Sequence, residues 1–219
     1  MGELLPLLLQ GTWVTIQVTV LSTLLAIPAA IISELGRRSV WGPVRWLCVA
    51  YVEVFRGSSL LVQLFWLFFV LPLPPFNIEL TPYQVAVLGM GLHIGAYGAE
   101  IMRGAFKAIP KGQYEACIAL NFGRFSQFRR IILPQAMVAA IPPGTNLLIE
   151  LLKNTSLLSL ITLADLTFRS RQLDQVTFET TKIYAVTLLI YFILAQIINL
   201  FMRRLEKRVH LGRMGGSVQ

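Results

Sequence analysis

Apolar residues in this chain run almost unbroken over lengths that suit a bilayer crossing, with polar and basic stretches between them. A hydrocarbon core about 30 Å thick demands roughly 20 apolar residues of a helix. Residues 4–33 and 183–202 contain no charged side chain at all. Five spans are predicted: 11–32, 46–71, 83–102, 133–153 and 183–202. The third has a marked start, with Thr81 able to cap, Pro82 suited to the first helical position and Gln84 completing a capping box. Before it, LPLPPFN (71–77) is a turn-rich connection. The fourth is expected to be interrupted, because Pro142-Pro143-Gly144 falls in its middle and an interior proline removes a backbone bond and clashes with the preceding turn. A plain kink and a break lining a pathway both fit. LLSLITLA (157–164) is apolar but too short to span, and is expected to be a re-entrant or partly buried gate segment. The polar stretch 165–182 is expected outside the membrane.

Composition agrees with this pattern. Of 219 residues, 55% are hydrophobic and 14% charged, against about 25% charged in soluble domains. The reading is an all-α, multi-pass membrane protein forming one domain over 1–219. The net charge of +8 does not imply nucleic acid, because of where it lies. Fourteen of the nineteen lysines and arginines fall in alternate connections. They are Arg37, Arg38 and Arg45; Arg103, Lys107, Lys111, Arg124, Arg129 and Arg130; and Arg203, Arg204, Lys207, Arg208 and Arg213. The positive-inside rule makes those regions cytoplasmic, with the N-terminus outside and the C-terminus inside. Cys48 and Cys117 imply no disulfide framework. The first apolar run lacks the basic start and small-residue site of a cleaved signal, so it is read as a retained helix. An odd number of spans makes an incomplete pore, and assembly with a copy or a homologue is expected.

Catalytic chemistry is not in evidence. There is no GxxxxGK[ST] phosphate loop, no nucleophile–base pairing, and the two histidines, His93 and His210, lack metal-ligand spacing. His93 is expected to hydrogen-bond within the bundle. No metal or cofactor is expected in this chain. Ionisable residues within apolar spans are candidates for function, since each costs about 2.5–3.5 kcal/mol on insertion scales. Glu53 and Arg56 are three residues apart and can pair on one helix face; so can Glu150 and Lys153, followed by Asn154, and Glu100 and Arg103. Glu100 and Arg103 read as structural pairing; for the other two, pairing and a place on the translocation pathway both remain open. Gln63 and Asn146 either line that pathway or hold helices together.

The segment 103–132 is a polar, basic insert between oily spans. A short helix is predicted over 113–120 with Ala116 and Ala119 on one side, ending where Asn121 and Gly123 can take positive φ. Phe125 and Phe128 offer anchors, Arg129 and Arg130 hold the membrane edge, and Pro134 opens the next span. Such a helix is either a lever for a docked protein or an amphipathic helix on anionic lipid.

YEACIALNFGRFSQFRRIILPQA (114–136) resembles the EAA loop of permease subunits of ATP-binding-cassette (ABC) importers. Glu115, Ala116 and Cys117 stand for the EAA triplet, and Pro134 closes the motif at the family spacing. Asn121 replaces the usual glycine, with Gly123 two residues on. FRGSSLLVQLFW (55–66), GAYGAEIMRGAFKAIPKGQYEA (95–116) and NLLIELLKNTSLLSLITLADLT (146–167) look like the polar amino-acid branch. Within it, IALNF, IELLKNTSLLSLITLADLTFR and FWLFFVLP look most like the ectoine and hydroxyectoine permeases. The resemblance implies a five-helix type I importer permease (MetI-like) in a bacterial inner membrane, paired with a second permease. It also implies an ATPase dimer, binding ATP and Mg, docked on the coupling loop, and an external solute-binding protein delivering substrate. The competing readings are an ion-gradient-driven secondary transporter, using Glu53, Glu150 or His93 as a proton site, and a sensor or scaffold without transport.

Overall fold

The computed structural model describes residues 4–214, with side chains from residue 5 to residue 209. His210 and Arg213 lie outside the described side chains. The regular secondary structure of the described residues is helical, without strands. In order they form α1 (Leu4–Arg37), α2 (Gly42–Gly57), α3 (Leu60–Phe65), α4 (Pro82–Lys107), α5 (Lys111–Ala119), α6 (Arg124–Gln127), α7 (Leu133–Asn154), α8 (Leu166–Thr177) and α9 (Thr180–Met214). π-helical turns follow α3 (Trp66–Val70) and α6 (Phe128–Ile132), and a 3₁₀ segment (Thr155–Ile161) follows α7.

Four stretches are long and apolar enough to cross a membrane: Leu5–Arg37, Pro82–Lys107, Arg124–Ile161 and Thr180–Val209. The span expected over 46–71 consists of two pieces, Gly42–Gly57 and Leu60–Val70, bent by 108°. The bend falls at Gly57-Ser58-Ser59, where Ser58 and Ser59 take extended backbone. Gln63 staples it: its Nε2 donates to Phe55 O (2.9 Å) and to Ser58 Oγ (2.8 Å), satisfying groups the broken ladder leaves open.

The interruption expected at Pro142-Pro143-Gly144 does not occur, and α7 runs continuously from Leu133 to Asn154. Both prolines are exposed. The carbonyls they deprive of a helical donor, four residues back, are those of Val138 and Ala139. Thr145 Oγ1 donates to Ile141 O (2.9 Å), adding a bond just past the prolines. The capping box at α4 is present as predicted, with Thr81 Oγ1 accepting from Gln84 N and Gln84 Oε1 accepting from Thr81 N (2.9 Å).

The centre of the bundle is the α1–α4 pair. Close approach is possible because α4 offers Gly91 and Gly95 to Leu25 and Ala29 of α1. Around it Val18, Leu64, Val85, Met90, Leu151, Leu158 and Ile161 form the main buried cluster. The short apolar run after α7 is thus buried within the bundle rather than spanning it. It closes at Thr162 in left-handed backbone (φ 62°), and the polar stretch after it forms α8.

A Cβ at Gly95 would lie 2.8 Å from Ala29 Cβ and 3.0 Å from Tyr51 Oη, whereas one at Gly104 meets nothing within 4 Å. Gly95→Val is expected to cost about 1–3 kcal/mol through overpacking. Gly104→Val is expected to leave stability within about 1 kcal/mol of the parent. Thermal unfolding of the detergent-purified variants compares them.

Candidate functional site

The basic insert leaves α4 through Ile109, which is buried, and turns at Pro110 into α5. The helix predicted over 113–120 begins two residues earlier. It stops at Asn121, whose φ of 57° is the expected left-handed turn. Phe122 N then donates to Cys117 O (2.9 Å) and Asn121 N to Ile118 O (2.9 Å), closing orphan carbonyls. Gly123 does not share this role: its φ is −64° and it precedes α6 as the N-cap. Glu115, Ala116 and Ala119 are exposed, with Ile118, Leu120 and Phe125 each more than two-thirds exposed beside them. Cys117 is 2% exposed and points into the bundle. Two members of the triplet therefore face outward and the third anchors the helix. Beneath it, Ala105, Ile109, Ile132 and Ala136 form a small core against which Tyr114 packs.

The insert is tied to α1 by a stack. Phe128 lies parallel to Phe106 at 5.9 Å between ring centroids. The Arg38 guanidinium sits 4.7 Å from the centroid of Phe106 and pairs with the buried Glu34 at 2.6 Å. Phe128 is therefore turned partly inward, leaving Phe125 as the freely exposed anchor. Arg129 and Arg130 are exposed in the π-turn, and Pro134 is exposed in the first turn of α7.

The intramembrane charges are arranged differently from the pairs predicted. Glu100 binds Arg103 (2.6 Å) as expected, and also Arg37 (2.5 Å) from the end of α1 and Arg56 (3.8 Å) from the end of α2. The expected Glu53–Arg56 pair is absent. The last turn of α2 aims Arg56 at α4, where it also lies 5.4 Å from the Tyr97 centroid, and leaves Glu53 exposed. Glu150 and Lys153 are both exposed and make no ion pair among the described residues. They share one exposed stripe of α7 with Pro142, Pro143 and Asn146, spaced at helical period. Asn154 is half-buried at the start of the 3₁₀ segment. Gln63 Oε1 accepts from His93 Nδ1 (3.0 Å), which gives His93 the bundle hydrogen bond expected of it. Among the described residues, no group of three or more His, Cys, Asp or Glu could hold a metal ion.

One buried cluster escaped the sequence reading. Asp165 is fully buried and caps α8 by accepting from Phe168 N (2.9 Å) and Thr167 N (3.2 Å). Leu166 N donates to Thr15 Oγ1 of α1 (3.2 Å), and the Tyr191 hydroxyl of α9 meets Thr167 Oγ1 (3.0 Å). Burial pushes the Asp165 carboxyl up to about 6, with the two amide bonds opposing. The available signal was an N-cap residue followed by a helix-length polar stretch.

The family described as binding-protein-dependent transport system inner membrane component matches residues 18–211. The chain belongs to this family. It is 44% identical over 204 residues to a probable amino-acid ABC transporter permease of Sinorhizobium fredii, covering 91% of this chain and 86% of the relative. It is 39% identical over 210 residues to the L-cystine transport system permease of Bacillus subtilis, covering 93% and 87%. It is 30% identical over 207 residues to the glutamine transport system permease of Escherichia coli, covering 94% of each. Among solved structures it resembles an amino acid ABC transporter crystallised with histidines. The TM-score there is 0.88 at 28% identity, over 95% of this chain and 96% of that one. The fold is also that of the inward-facing methionine transporter MetNI (TM-score 0.76, 20% identity, 95% and 99% covered). The architecture is therefore the type I importer permease fold.

In this permease Glu100→Gln would leave Arg37, Arg56 and Arg103 around one site without the carboxylate they share. A loss of roughly 2 kcal/mol or more is expected. Arg103→Gln, at a side chain 37% exposed, is expected to cost under about 1 kcal/mol; thermal melts rank the two. Asp165 gives a pH signature. Its folded pKa is raised, so its contribution to stability is full below about 4, its range in an unfolded chain, and is lost as pH rises through about 6. Asp165→Asn keeps a capping oxygen and removes the titration. The parent is expected to melt higher at pH 5 than at pH 7, with the difference reduced in the variant.

Proposed function

We propose that this chain is the membrane subunit of an ABC importer for amino acids, residing in the bacterial inner membrane with its N-terminus outside. α5 is the element on which a separate ATPase docks. The carrying observation is the exposed surface of Glu115, Ala116, Ile118 and Ala119 on a short helix, with exposed Phe125 of α6 beside it, between two membrane-crossing helices. Bare apolar side chains on a basic insert call for a protein partner, and Cys117 fixes the orientation in which they are shown. The permease names of the relatives, for cystine, glutamine and amino acids generally, support an amino-acid substrate. They give no support to ectoine as the preferred solute. Family membership disfavours an ion-gradient mechanism, and His93, one candidate proton site for it, is engaged with Gln63.

ATP binding in a docked ATPase dimer draws the two coupling helices together. The Phe128–Phe106–Arg38 stack carries that movement to the end of α1, and hydrolysis resets it. ATP and Mg belong to the ATPase; a second permease completes the pore, and an external binding protein delivers the solute. Asn146, Glu150, Lys153 and Asn154 on α7 and after it, with Glu53 and Arg56 near the α2 bend, are the pathway candidates. Gln63 serves the pathway indirectly by fixing that bend.

Glu115→Lys reverses charge on the docking face without touching the bundle. It is expected to abolish co-purification of the ATPase while membrane insertion and monodispersity stay normal. Normal ATPase capture by this variant, or amino-acid uptake in proteoliposomes that survives ATP depletion and collapses with a protonophore, would overturn the reading. Uptake of labelled cystine, glutamine and ectoine in the same vesicles ranks the solutes.

A further inference from the structure

The N-terminal end of α1 and the start of α8 border an open cavity of about 630 Å³ lined by Pro6, Leu9, Gln10, Trp13, Val14, Ala164 and Arg169. The chemistry of this cavity is unequal. Arg169 lies across α1 at Gly11, where a Cβ would come within 2.9 Å of its Cγ. Its Nη1 donates to Gln172 Oε1 (2.8 Å), but its Nε is buried with no hydrogen-bond partner. The nearby Asp165 accepts from the amides of Thr167 and Phe168 and makes no ion pair with Arg169. The Nε has no accessible surface for a ligand, but the guanidinium's charge at the lining has no acid within ion-pair distance among the described residues and calls for an anion. Its planar fork suits a phosphate, and the Gln10 amide and Trp13 indole supply further donors in the lining.

Depth decides the source of that anion. A hydrocarbon layer of about 30 Å is about 20 helical residues. Counting from the basic ends at Arg37 of α1, Arg103 of α4 and Arg203 of α9 puts its far edge near Thr15–Val18, Tyr83 and Ile183. Trp13, 60% exposed, then sits at the headgroup level where tryptophan concentrates. Val20, Leu24 and Ile27 continue the exposed side of Trp13 into the hydrocarbon layer, so the cavity sits at headgroup depth just above a face of α1 turned to lipid tails. Val14, the lining residue nearest that edge, suits the glycerol backbone.

We propose that this cavity binds the phosphodiester of one anionic phospholipid in the leaflet at the N-terminal end of α1, with Arg169 as its cation. The site rests on the bilayer reading of the helices and not on transport, so lipid binding is measured independently of uptake.

The test uses the assembled complex in nanodiscs of phosphatidylcholine with phosphatidylglycerol as the minor component. Native mass spectrometry counts the phosphatidylglycerol retained. Arg169→Gln is expected to weaken retention roughly five-fold, with Arg169→Lys keeping most of it and Trp13→Leu giving a smaller loss. Equal retention by the parent and Arg169→Gln would overturn the proposal. So would Arg169-dependent binding of inorganic phosphate in phosphatidylcholine-only discs with no preference for the lipid. A variant that loses binding-protein affinity while retaining phosphatidylglycerol would reassign Arg169 to protein docking. A melting temperature unchanged from the parent keeps the comparison free of unfolding.

Discussion

Between Arg37, Arg56 and Arg103, the carboxylate of Glu100 neutralises charge where three helices meet: the end of α1, the end of α2 and the last turns of α4. Buried charge is tolerated when it is paired and hydrogen-bonded, and a guanidinium left bare within an apolar span would cost several kcal/mol. This junction ties the exposed end of α2 to α4 just before the chain turns. The 108° bend is stapled by Gln63, and α3 then rises along α4, where Leu64 lies against Gly89. From that same end of α4 the chain leaves for the basic insert. The close α1–α4 contact, the bend and the takeoff of α5 all have the Glu100 junction as a common anchor.

Features fixed by neighbours a few residues apart were legible in the sequence. Thr81, Pro82 and Gln84 specify the start of α4 because the capping box is a local exchange of two hydrogen bonds. Asn121 marks the end of α5 because few other residues accept left-handed backbone. Features decided by distant packing were not legible. The second apolar run conceals its bend, since hydropathy averages over Gly57-Ser58-Ser59, and only the Gln63 contacts show how the broken ladder is satisfied. Arg56 has two acids within reach, and sequence spacing favours Glu53 while the fold selects Glu100. Pro142 and Pro143 read as a break because each removes a donor, yet both lie on an exposed face of an otherwise regular helix. Asp165 reads as the first residue of a polar stretch outside the membrane, and its buried setting goes with long-range packing such as the bond from Leu166 N to Thr15 Oγ1 of α1.

The insert and the bundle are joined by few but specific contacts. Tyr114 seats α5 on Ile109, Ile132 and Ala136, and Cys117 is buried near it in sequence, so a push on the outer face of α5 would move the start of α7 and the end of α4 together. The second connection runs through aromatic rings: Phe128 in the π-turn, Phe106 in the last turns of α4, then Arg38 just past the end of α1. Arg38 is held in turn by the buried Glu34. Rigid rings and a paired guanidinium transmit displacement better than a flexible loop, because interdigitated side chains leave little room to absorb it. The extra residue of a π-turn at Phe128–Ile132 sits where rotation of α7 against the insert would be taken up.

The two faces of α7 are opposed in chemistry. Met137, Ala140, Ile141, Gly144, Leu147 and Leu148 turn toward an apolar cavity of about 430 Å³ shared with α1, α4 and α9. The other side carries Pro142, Pro143, Asn146, Glu150 and Lys153, all exposed. The prolines also free the carbonyl of Ala139 along that same side. Lipid tails cannot satisfy a bare carbonyl, an amide and two unpaired charges along one stripe, since unmet polar groups in hydrocarbon each cost several kcal/mol. Water or another protein surface can. In the proposed pairing with a second permease, this stripe is the side of α7 that turns inward, because it alone gains from leaving lipid. The prolines then have a physical role without breaking the helix: they expose backbone oxygen to the space through which a zwitterionic solute would pass.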